Sequence, residues 1–401
     1  MIFRQITYAD LTYELCTKII KYSPSGSILF GNGVVTRLGE EVINLDAKKV
    51  IITTDQGIVK AGLLPKVVEP LQAAGIEVIV YDQCEANPSV ETVEKVVTVA
   101  KKNKIDLFIG FGGGSSMDVS KAAGILMTNG GKIQDYEGIN LVKIPPLPMI
   151  AIPTTSGTGS EVTPFSVISD NQRKWKMAIG SSFTIPVLAI CDPEMTLTLP
   201  THITAGCGMD ALTHAIEGFT SFSNDAISES LAYKAIQLIS GSLREAVAKG
   251  DANLDARYNM MLGSTMAAMG FTNTILGIAH SMAHPLGAIF GVPHGVANAI
   301  MLPIIMEFNL IGNSDKFIQT AIAMGENVDG LTKIEAANKA VKAVQRISDD
   351  IGIPRLNEYG VKESDIPRLA EEAMKGGDRW TNPRNTTVQD FVKLYEKALK
   401  T

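Results

Sequence analysis

The sequence contains no hydrophobic run long enough to cross a bilayer and only four cysteines among its 401 residues. The cysteines are Cys16, Cys84, Cys191 and Cys207. No two of them form a C-x-x-C pair, so reduced thiols are a simpler interpretation than a disulfide framework. The N-terminal segment is interrupted too often by polar and charged residues to provide the apolar core of a signal peptide. These absences predict a cytoplasmic protein with no membrane partner.

The sequence also lacks a basic face, an internal repeat and any low-complexity tract. Its 36 Lys and Arg residues are scattered and are outnumbered by 42 Asp and Glu residues, which gives a net charge of −6. Nucleic acid is therefore not an expected partner. The hydrophobic content of 45% is enough for a substantial core, and 401 residues exceed what one compact domain usually holds. We therefore expect two domains.

The first half of the chain alternates strand-like and helix-like patterns. The short apolar, β-branched runs lie at 49–54, 77–81, 106–110 and 148–152. A helical pattern such as the one at 90–102 separates consecutive runs. Strands that alternate with helices predict a parallel sheet with helices on its faces.

The second half of the chain has a different pattern. After about Pro200, strand-like runs nearly vanish, and Ala, Leu, Met and charged residues recur at helical spacing, as at 226–248 and 255–269. The segment 192–200, with two prolines and few apolar residues, is typical of a boundary. We predict an α/β dinucleotide-binding domain at 1–199 (with 1–24 as a candidate extension) and a helical metal- and substrate-binding domain at 200–401.

A glycine-rich turn lies at 108–121, where FIGFGGGSSMDVSK runs from an apolar strand into a helical pattern. Glycines allow close approach of the backbone to a ligand, and free amides at the start of a helix attract an anion such as a pyrophosphate. The usual G-x-G-x-x-G fingerprint fails, because Ser115 or Met117 stands at the third glycine position. A plain strand-to-helix turn remains an alternative to a nucleotide site.

Two other features favour a nucleotide. Asp55 directly follows a predicted strand, where a carboxylate can accept hydrogen bonds from a ribose diol and would repel a 2′-phosphate. This favours NAD over NADP, although a helix-capping aspartate is the commoner role at such a position. The run TTSGTGS at 154–160 also follows a strand and offers hydroxyls and amides without bulk.

The histidines are concentrated in two short segments, which contain four of the five in the chain. Asp210 and His214 are four residues apart, so they share one face of a helix, and His280 and His284 have the same spacing. His294 follows a Gly-Val-Pro turn, which lets the chain fold back toward them. Imidazoles with one carboxylate are a good ligand set for a divalent transition metal. Spacing alone cannot choose two ligands among His280, His284 and His294.

Several blocks of the sequence make it resemble the iron-containing (group III) alcohol dehydrogenases. They are GGGSSMDVSK, AIPTTSGTGSEVTPFSVI, GMDALTHAIEGF, HSMAHPLGAIFGVPHGVAN and NPRNTT. The resemblance runs from about Ser27 to the C-terminus. It implies the dehydroquinate synthase-like fold of that family, with an N-terminal α/β nucleotide-binding domain, an all-α C-terminal metal-binding domain and the site in the cleft between them.

The resemblance also implies roles for individual residues. The implied metal ligands are Asp210, His214, His280 and His294, and His284 is implied to lie beside the substrate. The implied cofactor contacts are Asp55, Asn87, Gly113, Gly114, Ser115, Asp118, Thr154, Thr155, Thr158 and Lys176. Phe165 and Phe271 match substrate-pocket positions, Trp380 falls in a segment that lines the substrate side, and Lys121 is implied to support the glycine loop. Fe²⁺ is the expected metal, with Zn²⁺ or another divalent ion as the alternative.

The activity implied is hydride transfer between a small primary alcohol or diol, or its aldehyde, and NAD(H). We expect His284 to move the hydroxyl proton, since the pKa of an imidazole suits neutral pH, and Met282 and Leu286 to help exclude water. The sequence departs from the family at 378–381, where Asp-Arg-Trp-Thr replaces a common Cys-Thr pair and Arg379 could meet an anion. Alternatives are a lyase like dehydroquinate synthase and a non-catalytic relative. Homo-oligomers are expected.

Overall fold

The computed structural model describes residues 22–401. Most of the candidate extension at 1–24, including Cys16, lies outside these residues, and the three cysteines within them are free thiols. No helix in the described part of the chain combines the length and the apolar character needed to span a membrane.

The elements of the first part of the chain are strands with helices between them. The strands are β1 (Ser27–Phe30), β2 (Lys49–Thr53), β3 (Glu77–Tyr81), β4 (Leu107–Gly112), β5 (Gly138–Ile139), β6 (Met149–Pro153), β7 (Phe165–Asp170), β8 (Trp175–Gly180) and β9 (Leu188–Cys191). The helices are α1 (Leu38–Asn44), α2 (Gln56–Lys60), α3 (Leu64–Ala73), α4 (Val90–Asn103) and α5 (Gly114–Asn129).

The main sheet is six-stranded and parallel, in the order β1-β9-β6-β4-β2-β3. Every residue of β4 and of β6 is buried, as expected for central strands that helices cover on both faces. The four runs predicted from the sequence form neighbouring strands of this sheet. Strands β1 and β9 were not predicted; they are only four residues long and pair with each other along one side of the sheet.

A second, three-stranded sheet in the order β5-β8-β7 was also missed. Its strands β7 and β8 form an antiparallel hairpin, with Ser169 opposite Lys176 and Asp170 opposite Trp175. Hairpin strands follow each other without a helix, so a rule based on alternation of strands and helices passes over them. Strand β8 carries Lys176, one of the residues implied to contact the cofactor.

From Thr201 onward, all regular elements are helices. They are α6 (Thr201–Thr220), α7 (Ala226–Ala248), α8 (Leu254–Thr274), α9 (Ile278–Phe290), α10 (His294–Asn309), α11 (Ser314–Ala323), α12 (Lys333–Asp350), α13 (Ile366–Ala373) and α14 (Val388–Lys400). The helical prediction at 226–248 is confirmed by α7, and the one at 255–269 lies inside α8. The last strand ends at Cys191, so the change from strands to helices falls within 192–200. The division at 199 stays a prediction.

The strand-bearing and helical parts of the chain approach each other closely at one glycine. A Cβ on Gly159, in the loop after β6, would lie 2.1 Å from the Cβ of Ala268 in α8, and the φ of Gly159 is +62°. Both the space and the backbone conformation therefore require glycine here. This contact holds the loop 154–160 against the helical part of the chain.

Replacing Gly159 with alanine should lower the free energy of unfolding by about 2–4 kcal/mol, because it combines a left-handed backbone with an overpacked contact. The matched control is Gly241→Ala in α7, where nothing lies within 4 Å of the added Cβ. That change should raise the free energy of unfolding by about 0.5–1 kcal/mol, since alanine favours helix. Urea unfolding of both variants measures the difference. Equal midpoints for Gly159→Ala and the unmodified chain would contradict the contact.

Candidate metal and nucleotide site

Three helices bring one carboxylate and two imidazoles together. Ligand atoms of Asp210 on α6, His280 on α9 and His294 at the start of α10 all lie within 4.8 Å of one another. The Asp210 Oδ1 atom is 3.9 Å from His280 Nε2 and 3.6 Å from His294 Nε2. Asp210 and His280 are buried, whereas the side chain of His294 is 40% exposed. This group is a candidate metal site that is open on the His294 side.

His214 lies beside this group, one turn after Asp210 on α6. Its ring stacks on the His280 ring with the centroids 4.7 Å apart, and its Nδ1 atom lies 3.2 Å from the carbonyl oxygen of Gly157. Because a carbonyl oxygen can only accept a hydrogen bond, the proton of the His214 ring lies on Nδ1, and Nε2 keeps a free lone pair. His214 is therefore prepared to act as a nitrogen ligand, although it stands outside the 4.8 Å group.

His284 takes a different position, one turn beyond His280 on α9. Its ring stacks on that of His294, with centroids 5.4 Å apart and planes 14° apart, and it is not a member of the 4.8 Å group. Desolvation by the surrounding protein, followed by the neighbouring His294, lowers the pKa of His284 to about 3. The expected role of His284 in moving the hydroxyl proton stays a prediction.

Two polar residues at this site were not predicted, although both lie in the sequence blocks that resemble the family. Glu217 is buried on α6, and its Oε2 atom accepts a hydrogen bond of 2.6 Å from His280 Nδ1. The Asn298 Nδ2 atom lies 2.7 Å from Asp210 Oδ1 and 3.0 Å from His280 Nε2. The available signal was helical spacing, since Glu217 follows Asp210 by seven residues and Asn298 follows His294 by four.

The donor set fits a divalent transition metal. Nδ1 of His280 faces a carboxylate and Nδ1 of His214 faces a carbonyl. Such bonds fix the imidazole tautomer that presents Nε2 to a metal, and they are usual around metal-ligating histidines. One carboxylate with nitrogen donors suits iron and zinc alike.

The glycine-rich turn packs closely against the loop at 154–160, and the line along which they meet is called the slot. α5 begins at Gly114 directly after β4, and no side chain caps its first turn. The side chains of Thr155 and Thr158 face this turn: a Cβ on Gly113 would lie 3.6 Å from Thr155 Cγ2, and one on Gly114 would lie 3.1 Å from Thr158 Oγ1. Backbone amides and hydroxyl groups thus lie side by side, with no large side chain among them, and both kinds of donor can serve a pyrophosphate.

Asp55 both caps a helix and faces this turn. Its Oδ1 atom accepts hydrogen bonds of 2.7 and 3.1 Å from the amides of Gly57 and Ile58, at the start of α2. Its Oδ2 atom lies 3.4 Å from the position of a Cβ on Gly112. The two interpretations from the sequence are therefore compatible, because capping uses one oxygen and leaves the other directed toward the slot.

Two family models match this chain in succession. "Iron-containing alcohol dehydrogenase" matches residues 24–193, and "Fe-containing alcohol dehydrogenase family, C-terminal" matches residues 204–399. The chain belongs to the iron-containing alcohol dehydrogenase family. The resemblance inferred from the sequence blocks is thereby confirmed.

Known relatives are similar in sequence to this chain over nearly its whole length. The 1,3-propanediol dehydrogenase of Klebsiella pneumoniae is 41% identical over 372 residues, which cover 92% of this chain and 96% of that protein. The NAD-dependent methanol dehydrogenase of Bacillus methanolicus is 38% identical, covering 94% of this chain and 99% of the relative. A crystal structure of 1,3-propanediol oxidoreductase superimposes with a TM-score of 0.93 at 40% identity, covering 95% of this chain and all of the other. The fold is thus that of the iron-containing alcohol dehydrogenases, as predicted.

Two charged residues of the glycine block hold the loop after β6 in place. Lys121 Nζ is buried and donates to the carbonyl oxygens of Ser160, Thr163 and Phe165 at 2.7–3.0 Å. Asp118 accepts from Ser160 Oγ and from the amide of Val167, both at 3.0 Å. Desolvation raises the pKa of Asp118 to about 6 and lowers that of Lys121 to about 8. Lys121 and Asp118 thus fasten the segment after β6 to α5, while the expectation that Lys121 supports the glycine loop itself stays a prediction.

Asn87 and Lys176 meet at the edge of this region, where Lys176 Nζ donates to Asn87 Oδ1 over 2.6 Å. Lys176 lies on β8, in the strand-bearing part of the chain. Desolvation is the largest cause of the lowered pKa values of His284 and His294. The positive charge of Lys176 also lowers both pKa values, so Lys176 lies close to both histidines. The histidine segment itself carries no lysine or arginine, and this cation reaches it from about a hundred residues earlier in the chain.

The residues predicted on the substrate side have different environments. The Phe271 ring stacks on His214 with centroids 4.5 Å apart, and Phe165 packs against the same small apolar cluster as Phe271. Trp380 is 72% exposed, with the Arg379 guanidinium 3.6 Å above its ring. Within this segment, Asp378 is the residue whose carboxylate interacts with His284.

Met282 and Leu286 do not lie where they were expected. Both are fully buried in the core formed by α9, α10, α13 and α14. They follow His280 and His284, respectively, by two residues, which on a helix places them about 200° around the axis, on the opposite face. Met282 and Leu286 pack in the core on the opposite face of α9 and do not line the site.

Lys121→Met should lower the free energy of unfolding by about 3–5 kcal/mol, because it removes a buried cation and leaves its carbonyl acceptors without a donor. Methionine retains the apolar stem, so packing changes little. The control is Lys102→Met on the exposed face of α4, expected to change stability by less than about 0.5 kcal/mol. Chemical denaturation followed by circular dichroism compares the two. Similar small effects would refute the supporting role of Lys121.

Proposed function

We propose that this protein is a metal-dependent alcohol dehydrogenase that transfers a hydride between a small primary alcohol or diol, or its aldehyde, and NAD(H). The observation that carries the proposal is the convergence of Asp210, His280 and His294 beside His214, next to a loop that also faces the glycine turn. Membership of the iron-containing alcohol dehydrogenase family supports it, as does the similarity to the NAD-dependent methanol dehydrogenase of Bacillus methanolicus.

Four residues would hold the metal: Asp210, His214, His280 and His294. A bound divalent metal acts as a Lewis acid that makes loss of the hydroxyl proton easier. Fe²⁺ is the ion we propose, with Zn²⁺ as the alternative that the same donors accept. His294 is the most accessible of the group members, so substrate would approach from its side.

The nucleotide would lie along the slot between the glycine turn and the threonine loop. Gly113, Gly114 and Ser115 would offer backbone amides to the pyrophosphate, and Thr155 and Thr158, which lie against this turn, would contact it together with Thr154. The free oxygen of Asp55 would accept bonds from the ribose, while Asn87, Asp118 and Lys176 complete the proposed contacts. NAD⁺, when bound, accepts the hydride from the alcohol carbon.

The substrate side combines an apolar wall with one accessible imidazole. Phe165 and Phe271 would exclude water from one side of a small substrate. A neutral His284 has a free lone pair to accept a hydrogen bond from the hydroxyl group and so to take part in moving its proton. Trp380 and Arg379 would form the rim, where the sequence differs from the common Cys-Thr pair.

The two alternatives are less well supported. A lyase like dehydroquinate synthase must hold a sugar phosphate, and Lys176, a cation whose charge acts on His284 and His294, is bonded to Asn87. A non-catalytic relative would be expected to lose its candidate ligands, and this chain keeps all four. A cytoplasmic location and a homo-oligomeric assembly complete the proposal.

Removing either imidazole of the group should abolish metal-dependent turnover. We expect His280→Ala and His294→Ala, prepared without oxygen and with added Fe²⁺ or Zn²⁺, to lose at least about 10³-fold in kcat/KM, about 4 kcal/mol of transition-state stabilisation. The control is His202→Ala, which removes the exposed fifth histidine at the start of α6. NADH absorbance with short alcohols, diols and aldehydes is the measurement. Full activity of either site variant would exclude the proposed metal site.

Replacing Asp55 with asparagine should reduce the preference for NAD⁺ over NADP⁺ by about tenfold or more, because the charge that repels a 2′-phosphate is removed while a capping oxygen remains. The matched change is Asp106→Asn, at the opposite end of the strands, where the carboxylate accepts from the amides of Lys48 and Lys49. It should leave the ratio of kcat/KM values for the two cofactors unchanged. A ratio that does not respond to Asp55→Asn would remove Asp55 from the cofactor site.

A further inference from the structure

Glu217 is the buried carboxylate closest to the metal group that is not itself a proposed ligand. It lies on α6 seven residues after Asp210, so both side chains leave the same face of the helix two turns apart. Its exposure is 6%, and its Oε2 atom accepts from His280 Nδ1 over 2.6 Å. This bond fixes the proton of His280 on Nδ1, so Nε2 carries a lone pair that faces Asp210 and His294 and lies 3.0 Å from Asn298 Nδ2.

The other oxygen of Glu217 binds the helix that carries His280. Oε1 accepts from the amide of Ala279 over 2.7 Å, and the amide of Gly277 also donates to the carboxylate. These amides lie at the start of α9, where the first N–H groups have no partner within the helix and where a negative charge is favourable. One carboxylate thus holds both the imidazole of His280 and the end of its helix.

The approach of Glu217 to α9 depends on the absence of a side chain at residue 277. A Cβ on Gly277 would lie 2.7 Å from Glu217 Oε1 and 3.2 Å from Asn382 Oδ1. Any larger residue would push Glu217 away from its partners. The Gly277 position and the Glu217 side chain therefore form one arrangement that can be disturbed from either side.

We propose that Glu217 is a positioning residue of the metal site, which fixes the tautomer and direction of His280 and is admitted to that position by Gly277. The proposal rests on the proposed function for the identity of the site. It assigns Glu217 no contact with substrate. Carboxylates that hold a ligating histidine in this way typically change metal affinity by about 10–100-fold when they are removed.

The test measures metal affinity rather than turnover. Wild-type protein, Glu217→Ala, Glu217→Gln and Gly277→Ala are stripped of metal, and the dissociation constant for Zn²⁺ is determined by competition with a chromophoric chelator. We expect Glu217→Ala and Gly277→Ala to bind Zn²⁺ about 10–100-fold more weakly than wild type. Glu217→Gln, which retains one acceptor oxygen, should lie between. If Glu217→Ala does not fold, the other two variants still decide the question.

The matched control is Tyr395→Phe, which removes another buried hydrogen bond to α9. The Tyr395 Oη atom donates to the carbonyl oxygen of Met282 over 2.7 Å, on the side of the helix away from the site. This variant should lose stability and keep its Zn²⁺ affinity within about twofold, since the hydrogen bond lost is worth about 1 kcal/mol and touches no ligand. An equal loss of affinity in Tyr395→Phe would show that α9 stability alone is responsible and would overturn the proposal.

A second readout does not depend on metal binding. In protein with ¹⁵N-labelled histidine, the NMR shifts of the two ring nitrogens of His280 report which one carries the proton. We expect the Nδ1–H tautomer in wild type and a mixture of tautomers in Glu217→Ala. Unchanged Zn²⁺ affinity together with an unchanged tautomer would refute the role of Glu217. Wild-type protein that binds no Fe²⁺, Zn²⁺ or Co²⁺ would instead refute the proposed function, while the tautomer would still test Glu217.

Discussion

The candidate metal site depends on the close contact of two helix backbones. A Cβ on Gly295, in the first turn of α10, would lie 2.2 Å from the carbonyl oxygen of Gly206 in α6 and 3.3 Å from the Cβ of Asp210. Any side chain at residue 295 would separate the helices at the point where Asp210 and His294 meet. Since the two ligand atoms are only 3.6 Å apart, a separation of even one methyl group would open the group.

The same arrangement links the metal group to the nucleotide slot. The loop at 154–160 faces the glycine turn through its threonines and reaches His214 through the carbonyl of Gly157. Lys121 on α5 donates to the carbonyl group of Ser160 at the end of this loop, and to those of Thr163 and Phe165 just beyond it. The distance between the two proposed binding regions is therefore set by one short segment that is bonded at both ends.

The polarity of hydrogen bonds then determines which atoms are available for chemistry. The Gly157 carbonyl accepts a hydrogen bond from Nδ1–H of His214, and the Glu217 carboxylate accepts one from Nδ1–H of His280. The Nε2 atoms of both histidines therefore point toward the site. His284 is not held in this way, and desolvation together with the neighbouring His294 lowers its pKa to about 3. Two histidines that are only four residues apart, His280 and His284, thus have different roles because their hydrogen-bond partners differ.

The sequence by itself determined the two-part architecture, the four strands of the main sheet with strong apolar runs and the helical spacing that pairs Asp210 with His214. It did so because periodicity and glycine content are local properties of the chain. Local pattern did not reveal the four-residue strands β1 and β9 or the β7–β8 hairpin, since short strands are defined by their neighbours. Spacing along the chain could not choose among His280, His284 and His294, and only the family resemblance implied a choice. The tertiary structure groups His280 and His294 with Asp210, because one helical turn of about 5.4 Å carries His284 past the meeting point. It also revealed Glu217 as the partner of His280, since the two residues come from different helices and no spacing along the chain relates them.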